Sequence, residues 1–158
     1  MFELRDYQIT AHQGIIKLFR EGKTVLLVMA TGAGKSKTVI SFIASIKEHY
    51  NFLLIVRGRK LVEQLAQDSK LFNLDYGVYM ADHNEYCTDK SILVSSFDTI
   101  LARGVPDMLN SSRPLVVITD EADQLNGKSY AFALGRMLKR ENGRTFLLGM
   151  TATPYGDL

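Results

Sequence analysis

The sequence predicts an α/β domain built on a doubly wound, mostly parallel β-sheet with helices on both faces. Short apolar runs alternate along the chain with amphipathic segments, and this alternation favours a parallel sheet with right-handed crossovers. The apolar runs are continuous rather than alternating, which is typical of strands that are buried on both faces. No repeat, low-complexity stretch or Gly/Ser linker interrupts the 158 residues. We therefore expect a single domain.

The predicted strands are short, often β-branched and flanked by turn residues. In chain order they are Val25–Met29, Phe52–Val56, Ile92–Ser95, Leu115–Thr119 and Thr145–Gly149, with Gly77–Met80 as a further, shorter candidate.

The segments between the strands carry the helical period. They are Asp6–Arg20, Lys35–Glu48, Arg59–Leu71 and Tyr130–Lys139. In the first of them, Ile9, Ile15, Ile16 and Phe19 share one face, which predicts an amphipathic helix packed on the sheet.

The composition is that of an ordinary globular protein, with 46% hydrophobic and 23% charged residues. A net charge of +2 gives no global reason to propose a nucleic-acid partner, so such a partner must be argued from local features. The single cysteine, Cys87, excludes an internal disulfide, and with His83 it forms too small a set for a zinc site. No apolar run is long enough to span a membrane, and Met1 opens no signal peptide. We expect a reducing, intracellular compartment and no membrane partner.

A glycine-rich segment, "MATGAGKSKT", follows the first predicted strand. Gly32 and Gly34 permit positive φ, so successive N–H groups can point into one concavity. Lys35 can reach terminal phosphates, Ser36 can place its hydroxyl on Mg²⁺, and a helix N-terminus favours anions. Met29 stands where the usual phosphate-loop pattern has its first glycine. A strand before and a helix after are nevertheless the context that the motif requires.

The strand Leu115–Thr119 ends in a second polar segment, Asp120-Glu121-Ala122-Asp123. Its three carboxylates repel one another unless a cation lies among them. In a phosphate-loop fold, an acid at the end of a nearby strand orients the Mg²⁺ shell and the adjacent Glu activates water. Asp120 suits the first role and Glu121 the second, and Lys35 would relieve the remaining repulsion.

Taken together, these segments resemble the first RecA-like motor domain of superfamily 2 helicases and nucleic-acid translocases, in order and over the whole chain. "LRDYQ" resembles the adenine-recognising element, "MATGAGKS" motif I, "LLIVRGRKLVEQ" motif Ia, "DEAD" motif II and "GMTATP" motif III. "ILVSSFDTIL" resembles the strand-and-turn element that contacts the nucleic-acid backbone. Arg57 stands where many members carry Pro.

The resemblance implies a role for each matching residue. ATP would be held by Arg5 and Gln8 near the base and by Thr31, Gly32, Ala33, Gly34, Lys35 and Ser36 at the phosphates, with Mg²⁺ on Ser36 and Asp120. The nucleic-acid backbone would lie on Arg57, Gly58, Arg59, Ser96 and Thr99. Asp123, Thr151 and Thr153 would couple hydrolysis to movement.

The letters "DEAD" do not by themselves indicate an RNA helicase. The elements "PTREL" and "TPGR" of the RNA-unwinding DEAD-box family are absent, and "VRGRKL" and "SSFDTI" stand at those places. The closer likeness is to DNA-acting members, the restriction-enzyme motor subunits and the branch-migrating helicases of bacteria and phages. We therefore favour DNA over RNA, in the cytoplasm of a bacterial or phage-infected cell.

The resemblance also implies a second RecA-like domain, whose arginine finger completes the ATP site. Residues 1–158 correspond to the N-terminal domain alone, so we expect this chain to bind ATP with Mg²⁺ and, by itself, to hydrolyse it slowly or not at all. Three alternatives stay open: an RNA helicase, a nucleotide-dependent DNA-binding module without significant hydrolysis, and a small-molecule phosphotransferase. The third lacks a lid-like basic segment between the two acidic motifs.

Overall fold

The computed structural model describes residues 3–57, 59–80, 89–104, 106, 112–122, 134–135, 139 and 143–153. The helices are α1 (Asp6–Arg20), α2 (Lys35–Ile46), α3 (Arg59–Leu71) and α4 (Phe97–Arg103). The strands are β1 (Val25–Val28), β2 (Asn51–Ile55), β3 (Gly77–Tyr79), β4 (Ile92–Ser95), β5 (Leu115–Thr119) and β6 (Thr145–Thr151).

These strands form one sheet in the order β1-β6-β5-β2-β4-β3, and every neighbouring pair is parallel. The predicted α/β class is therefore confirmed. In this order the loops after β1, β5 and β6 leave the sheet side by side at its carboxyl edge. That edge is where ligands bind in open α/β sheets.

Helices cover both faces of the sheet. One core cluster joins α1, α2 and α3 to the sheet through residues such as Ile15, Val39, Ile43 and Val62. The opposite face carries a smaller cluster in which Phe97 and Ile100 of α4 pack on β2, β4 and β5. Strands β2, β4 and β5 are buried along their whole length, as their continuous apolar sequences predict.

Strand β1 differs from the expectation of burial on both faces. Its residues alternate between buried and exposed, and Leu26 and Val28 are 52% and 44% exposed. The reason is its place at the end of the sheet: within the described residues β1 pairs with β6 alone. Helix cover on its second face is correspondingly incomplete there.

The predicted ends of the helices and strands agree with the structure to within about two residues. Two other features differ from the prediction. Ile15 and Phe19 of α1 are buried as expected, but Ile9 is 41% exposed. Helix α4 occupies a segment for which we expected only a strand and a turn. Most of the predicted helix Tyr130–Lys139 lies outside the described residues, as do His83 and Cys87. No helix in the described part of the chain is long and apolar enough to cross a membrane.

The packing of α1 on α2 contains a half-buried histidine whose titration affects stability. His12 Nε2 lies 3.0 Å from Ser45 Oγ, and the ring meets Phe42 edge-on at a centroid distance of 6.0 Å. Burial lowers the pKa of His12 below its ordinary value of 6.5. The unfolded chain therefore binds this proton more readily than the folded chain does. The contribution of His12 to the free energy of unfolding is fully present above pH 6.5, and it is lost as the pH falls toward the pKa of His12 in the folded chain.

We expect the melting temperature to fall between pH 7.5 and pH 5.5, and to fall less in His12→Gln. The glutamine keeps a polar group beside Ser45 but does not titrate. The comparison is made by thermal denaturation of both proteins across this range. Identical pH profiles for the two proteins would contradict the assignment of this loss to His12.

Candidate functional site

The loop after β1 is built around two glycines in the left-handed region. Gly32 has φ +78° and Gly34 has φ +80°, and Gly34 is the N-cap of α2. Ala33 N donates to Ala30 O at 3.0 Å, which closes a tight turn between them. Thr38 N and Thr38 Oγ1 both donate to Gly34 O, at 3.0 and 3.1 Å. The loop therefore runs into α2 in one fixed course.

Two side chains of α1 hold the carbonyls of this loop. Tyr7 Oη donates to Ala33 O at 2.9 Å, and Gln8 Nε2 lies 3.3 Å from Ala33 O and 3.2 Å from Gly34 O. In a trans peptide the C=O and the next N–H point in opposite directions. The N–H groups of Gly34 and Lys35 are thus directed away from α1. Backbone donors arranged in this way form an anion-binding concavity.

The side-chain amide of Gln8 already makes hydrogen bonds within the protein, which the sequence did not predict. The side chain is 3% exposed, and its Oε1 also accepts from Arg5 N at 2.9 Å. Arg5 Nη1 in turn donates to Tyr7 Oη at 3.2 Å. Recognition of adenine by Arg5 and Gln8 stays a prediction.

Gly34 cannot accept a side chain, and this gives a direct test of the loop. A Cβ at this position would overlap the amide nitrogen of Gln8, and φ +80° disfavours every L residue. We expect Gly34→Ala to lower the free energy of unfolding by about 1–3 kcal/mol. Gly14, in the middle of α1, has no atom near its missing Cβ. Gly14→Ala is the matched control, and it should raise the free energy of unfolding by roughly 1 kcal/mol. Urea denaturation measures both, and equal effects would contradict this account.

Lys35 and Asp120 meet at the base of the loop. Lys35 Nζ lies 4.0 Å from Asp120 Oδ1, and the two side chains are 19% and 12% exposed. That separation is too long for a hydrogen bond. Asp120 Oδ1 is buried and has no hydrogen-bond partner among the described residues. A buried carboxylate oxygen without a partner carries a desolvation penalty that a bound cation would remove.

The Asp120 main chain is held by the neighbouring strand, since its N donates to Ile55 O at 3.2 Å. The next residue, Glu121, is exposed and has φ +50°, an uncommon value for a residue with a side chain. Backbone strain of this kind concentrates at functional sites. The turn places the Glu121 carboxylate at the surface of the carboxyl edge, beside the buried Asp120.

The loop opens on a cleft of about 420 Å³ that extends past the amino end of α1. Its lining includes Lys35, Ser36, Thr31 and Arg5, and on the far wall Gln64 and Asp68 of α3. Gln64 and Asp68 are not among the residues predicted for the site, although their spacing of four places them on one face of a helix. Asp68 is 7% exposed, and burial raises its pKa while the positive charge of Lys37 opposes the rise. An acidic residue on the buried face of a helix was the signal available in the sequence.

The predicted nucleic-acid contacts lie at the same edge, on the β2 and β4 side. Arg57 is exposed directly after β2. Gly58 and the Arg59 side chain lie outside the described part of the structure. Ser96 Oγ accepts from Thr99 N at 3.2 Å and lies 3.0 Å from Thr99 Oγ1, so this pair caps α4. Thr99 is 5% exposed. The contact with Ser96 at the helix cap explains the position of the Thr99 hydroxyl. Binding of nucleic acid by Thr99 stays a prediction.

The predicted coupling residues are partly described. Thr151 is buried, and its Oγ1 accepts from Thr153 N at 3.1 Å and donates to Thr153 O at 2.8 Å. Thr151 O accepts from Met29 N at 3.1 Å, which joins the end of β6 to the start of the phosphate loop. Asp123 lies outside the described residues. No group of three or more His, Cys, Asp or Glu side chains suited to a metal is found in the described ranges.

A family model described as "Type III restriction enzyme, res subunit" matches residues 1–156. A search of curated proteins finds no match. Several solved structures have the same fold. A nuclease-deletion mutant of the Type ISP restriction-modification enzyme LlaGI, solved with a DNA substrate mimic, is 20% identical with a TM-score of 0.68 over 97% of this chain. The UvsW helicase of bacteriophage T4 is 20% identical with a TM-score of 0.68 over 94%.

A hypothetical ATP-dependent RNA helicase from Sulfolobus tokodaii is also similar, at 21% identity and a TM-score of 0.65 over 90% of this chain. This chain spans only a part of each of these proteins: 18% of LlaGI, 52% of UvsW and 45% of the Sulfolobus protein. At these identities the likeness concerns the fold.

Proposed function

Since the chain belongs to the family described as "Type III restriction enzyme, res subunit", we propose that it is the ATP-binding, N-terminal RecA-like motor domain of an ATP-dependent superfamily 2 DNA helicase or translocase. The observation that carries the proposal is the approach of Lys35 Nζ to Asp120 Oδ1, a buried oxygen that accepts no hydrogen bond from the described residues, at the base of the glycine loop. The lysine and the loop N–H groups can bind a phosphate group, and the carboxylate oxygen can bind a cation.

The residues present fit Mg²⁺ bound together with ATP. Mg²⁺ in phosphate sites is held by one or two protein oxygens, the substrate phosphates and water. Asp120 would supply one oxygen, directly or through water, and Ser36, in the first turn of α2, would supply its hydroxyl. The chemistry that Mg²⁺ provides in such sites is neutralisation of charge on the terminal phosphates.

Hydrolysis in this proposal depends on Glu121 and Lys35. The exposed carboxylate of Glu121 accepts a proton from the attacking water as general base. Lys35 and the N–H groups of the loop stabilise negative charge on the γ-phosphoryl group as it develops. Arg5 and Gln8 orient the base, and Thr31, Gly32, Ala33 and Gly34 surround the phosphates.

We propose DNA as the nucleic acid on which the motor acts. The membership of a restriction-enzyme family supports DNA, as does the absence of the RNA-helicase elements from the sequence. Arg57 and Ser96, which follow adjacent strands at the carboxyl edge, would contact the phosphate backbone with Gly58, Arg59 and Thr99. Such contacts fix the position of a protein on nucleic acid without reading its sequence. A second RecA-like domain would supply the arginine finger, and Asp123, Thr151 and Thr153 would transmit hydrolysis to movement.

The test is the steady-state ATPase rate of the full-length protein with no nucleic acid, with duplex or single-stranded DNA, and with RNA of matched length and sequence. We expect turnover to require Mg²⁺ and to rise at least tenfold with DNA and much less with RNA. Stimulation by RNA alone would favour the RNA helicase. Nucleotide-dependent DNA binding without turnover would favour the non-hydrolysing module.

A further inference from the structure

Gly149 lies in the middle of a crowded part of the sheet. In the register of β6 it is paired with Leu26 of β1 and with Thr119 of β5. A Cβ at Gly149 would lie 3.0 Å from the Cβ of Ala122, 3.2 Å from Leu26 Cδ1 and 3.8 Å from Thr119 Oγ1. Its φ is not in the left-handed region. A side chain at Gly149 would therefore be opposed by close approach and not by backbone conformation.

The atom that approaches Gly149 belongs to the acidic turn. The chain leaves β5 at Asp120, whose N is bonded to Ile55 O, and reverses at Glu121 with φ +50°. After this reversal Ala122 lies against β6, and its Cβ borders the space that a side chain at Gly149 would fill. Glu121 is thus held from both sides, by the strand bond of Asp120 and by the contact of Ala122 with Gly149.

We infer that Gly149 is a positioning residue for Glu121: the empty space at Gly149 lets the acidic turn close down on the sheet and fixes where the Glu121 carboxylate stands. The inference rests on the proposed function, in which Glu121 is the general base. A general base must lie within hydrogen-bond reach of the water that it activates, and small displacements of such a group reduce the rate strongly.

The two atoms that a Cβ at Gly149 would contact, Leu26 Cδ1 and Ala122 Cβ, differ in how easily they can move away. Leu26 Cδ1 is the end of a flexible side chain that is 52% exposed, so it can rotate toward solvent. The Cβ of Ala122 is attached directly to the backbone, so it can move only if the turn moves. A methyl group at Gly149 should therefore displace the acidic turn and leave the rest of β6 in place.

The experiment is a double-mutant cycle on ATP turnover in the full-length protein. We expect Gly149→Ala to lower kcat at least tenfold while the dissociation constant for ATP stays within about twofold. In the Ala122→Gly background, where the opposing methyl is absent, Gly149→Ala should lower kcat less than threefold. In the Leu26→Ala background the full loss should remain.

Several outcomes would overturn the inference. One is an equal loss of kcat in the Ala122→Gly background, and another is relief of the loss by Leu26→Ala. A loss of ATP binding with kcat unchanged would also reject it. If Gly149→Ala does not fold, Ala122→Val probes the same contact from the turn, where we expect at least a tenfold loss of kcat. An unchanged kcat in Ala122→Val would overturn the inference.

Amide NMR spectra of the 158-residue chain separate this inference from the proposed function. Gly149→Ala should shift the signals of Asp120, Glu121 and Ala122, and the shift should be largely abolished in the Ala122→Gly background. If the wild-type protein hydrolyses no ATP but this pattern is seen, the proposed function fails and the contact stands. If the three signals do not respond to Gly149→Ala, the inference is wrong whatever the ATPase rate.

Discussion

Glu121→Gln should leave ATP binding intact and lower the turnover of the full-length protein by about 10²–10⁴-fold, the usual contribution of a general base. The amide has the shape of the carboxylate but cannot accept the proton of the attacking water. Binding should persist because the Glu121 side chain is exposed beside the loop, whereas the phosphates are proposed to lie against Lys35 and the loop N–H groups. The measurements are steady-state ATPase and equilibrium binding of a fluorescent ATP analogue.

The matched control is Glu48→Gln, which makes the same chemical change at an exposed residue between the end of α2 and β2, away from the carboxyl edge. We expect the turnover of this variant to equal that of the wild type. Undiminished turnover in Glu121→Gln would remove Glu121 from the role of base. Loss of ATP binding in that variant would instead make it a ligand of the nucleotide.

Lys35→Ala should abolish the stabilisation that Mg²⁺ and ATP give to the chain. At a ligand concentration of about 100 times the dissociation constant, a specific ligand stabilises the wild type by about 2.7 kcal/mol. For a domain of this size that raises the melting temperature by roughly 5–10 °C. Without the Lys35 ammonium less positive charge opposes the repulsion between the phosphates and Asp120, and we expect a shift of less than about 1 °C.

Each variant is compared with its own ligand-free melting temperature, because Lys35 is also the neighbour of the buried Asp120. Lys23→Ala is the control: this lysine is exposed and pairs with Glu21 before β1, at the other end of the strand. Its ligand-induced shift should match that of the wild type. An equal shift in Lys35→Ala would show that the nucleotide binds elsewhere.

Much of the fold follows from local sequence, because a parallel sheet covered on both faces requires continuous apolar strands and these are visible as such. The position of β1 at the end of the sheet is not a local property, so the exposure of Leu26 and Val28 could not be predicted. Helix α4 was missed because seven residues are too few for the helical period to stand out beside an apolar strand. Its local signals are the Ser96 cap, Asp98 in the first turn, Arg103 in the last turn and Gly104 after it, and these mark helix ends rather than a helical period.

The candidate site shows the same division. Lys35, Ser36, Asp120 and Glu121 could be predicted as candidates because the segments that carry them follow strands in patterns whose chemistry suits phosphate and metal. The place of Gln64 and Asp68 in the lining of the cleft could not be predicted, because the approach of α3 to the glycine loop depends on how two helices pack. Gly149 is invisible to sequence reasoning for a related reason: its neighbour Ala122 reaches it only through the reversal at Glu121.

The bonds from Tyr7 and Gln8 to the carbonyls of Ala33 and Gly34 have a thermodynamic consequence for nucleotide binding. These bonds lie within the protein itself, so the conformational entropy that they remove from the loop is lost in folding and not in binding. Side chains that touch no phosphate thereby affect affinity. Removing the Tyr7 hydroxyl, as in Tyr7→Phe, would weaken nucleotide binding through a less favourable binding entropy, with the binding enthalpy little changed.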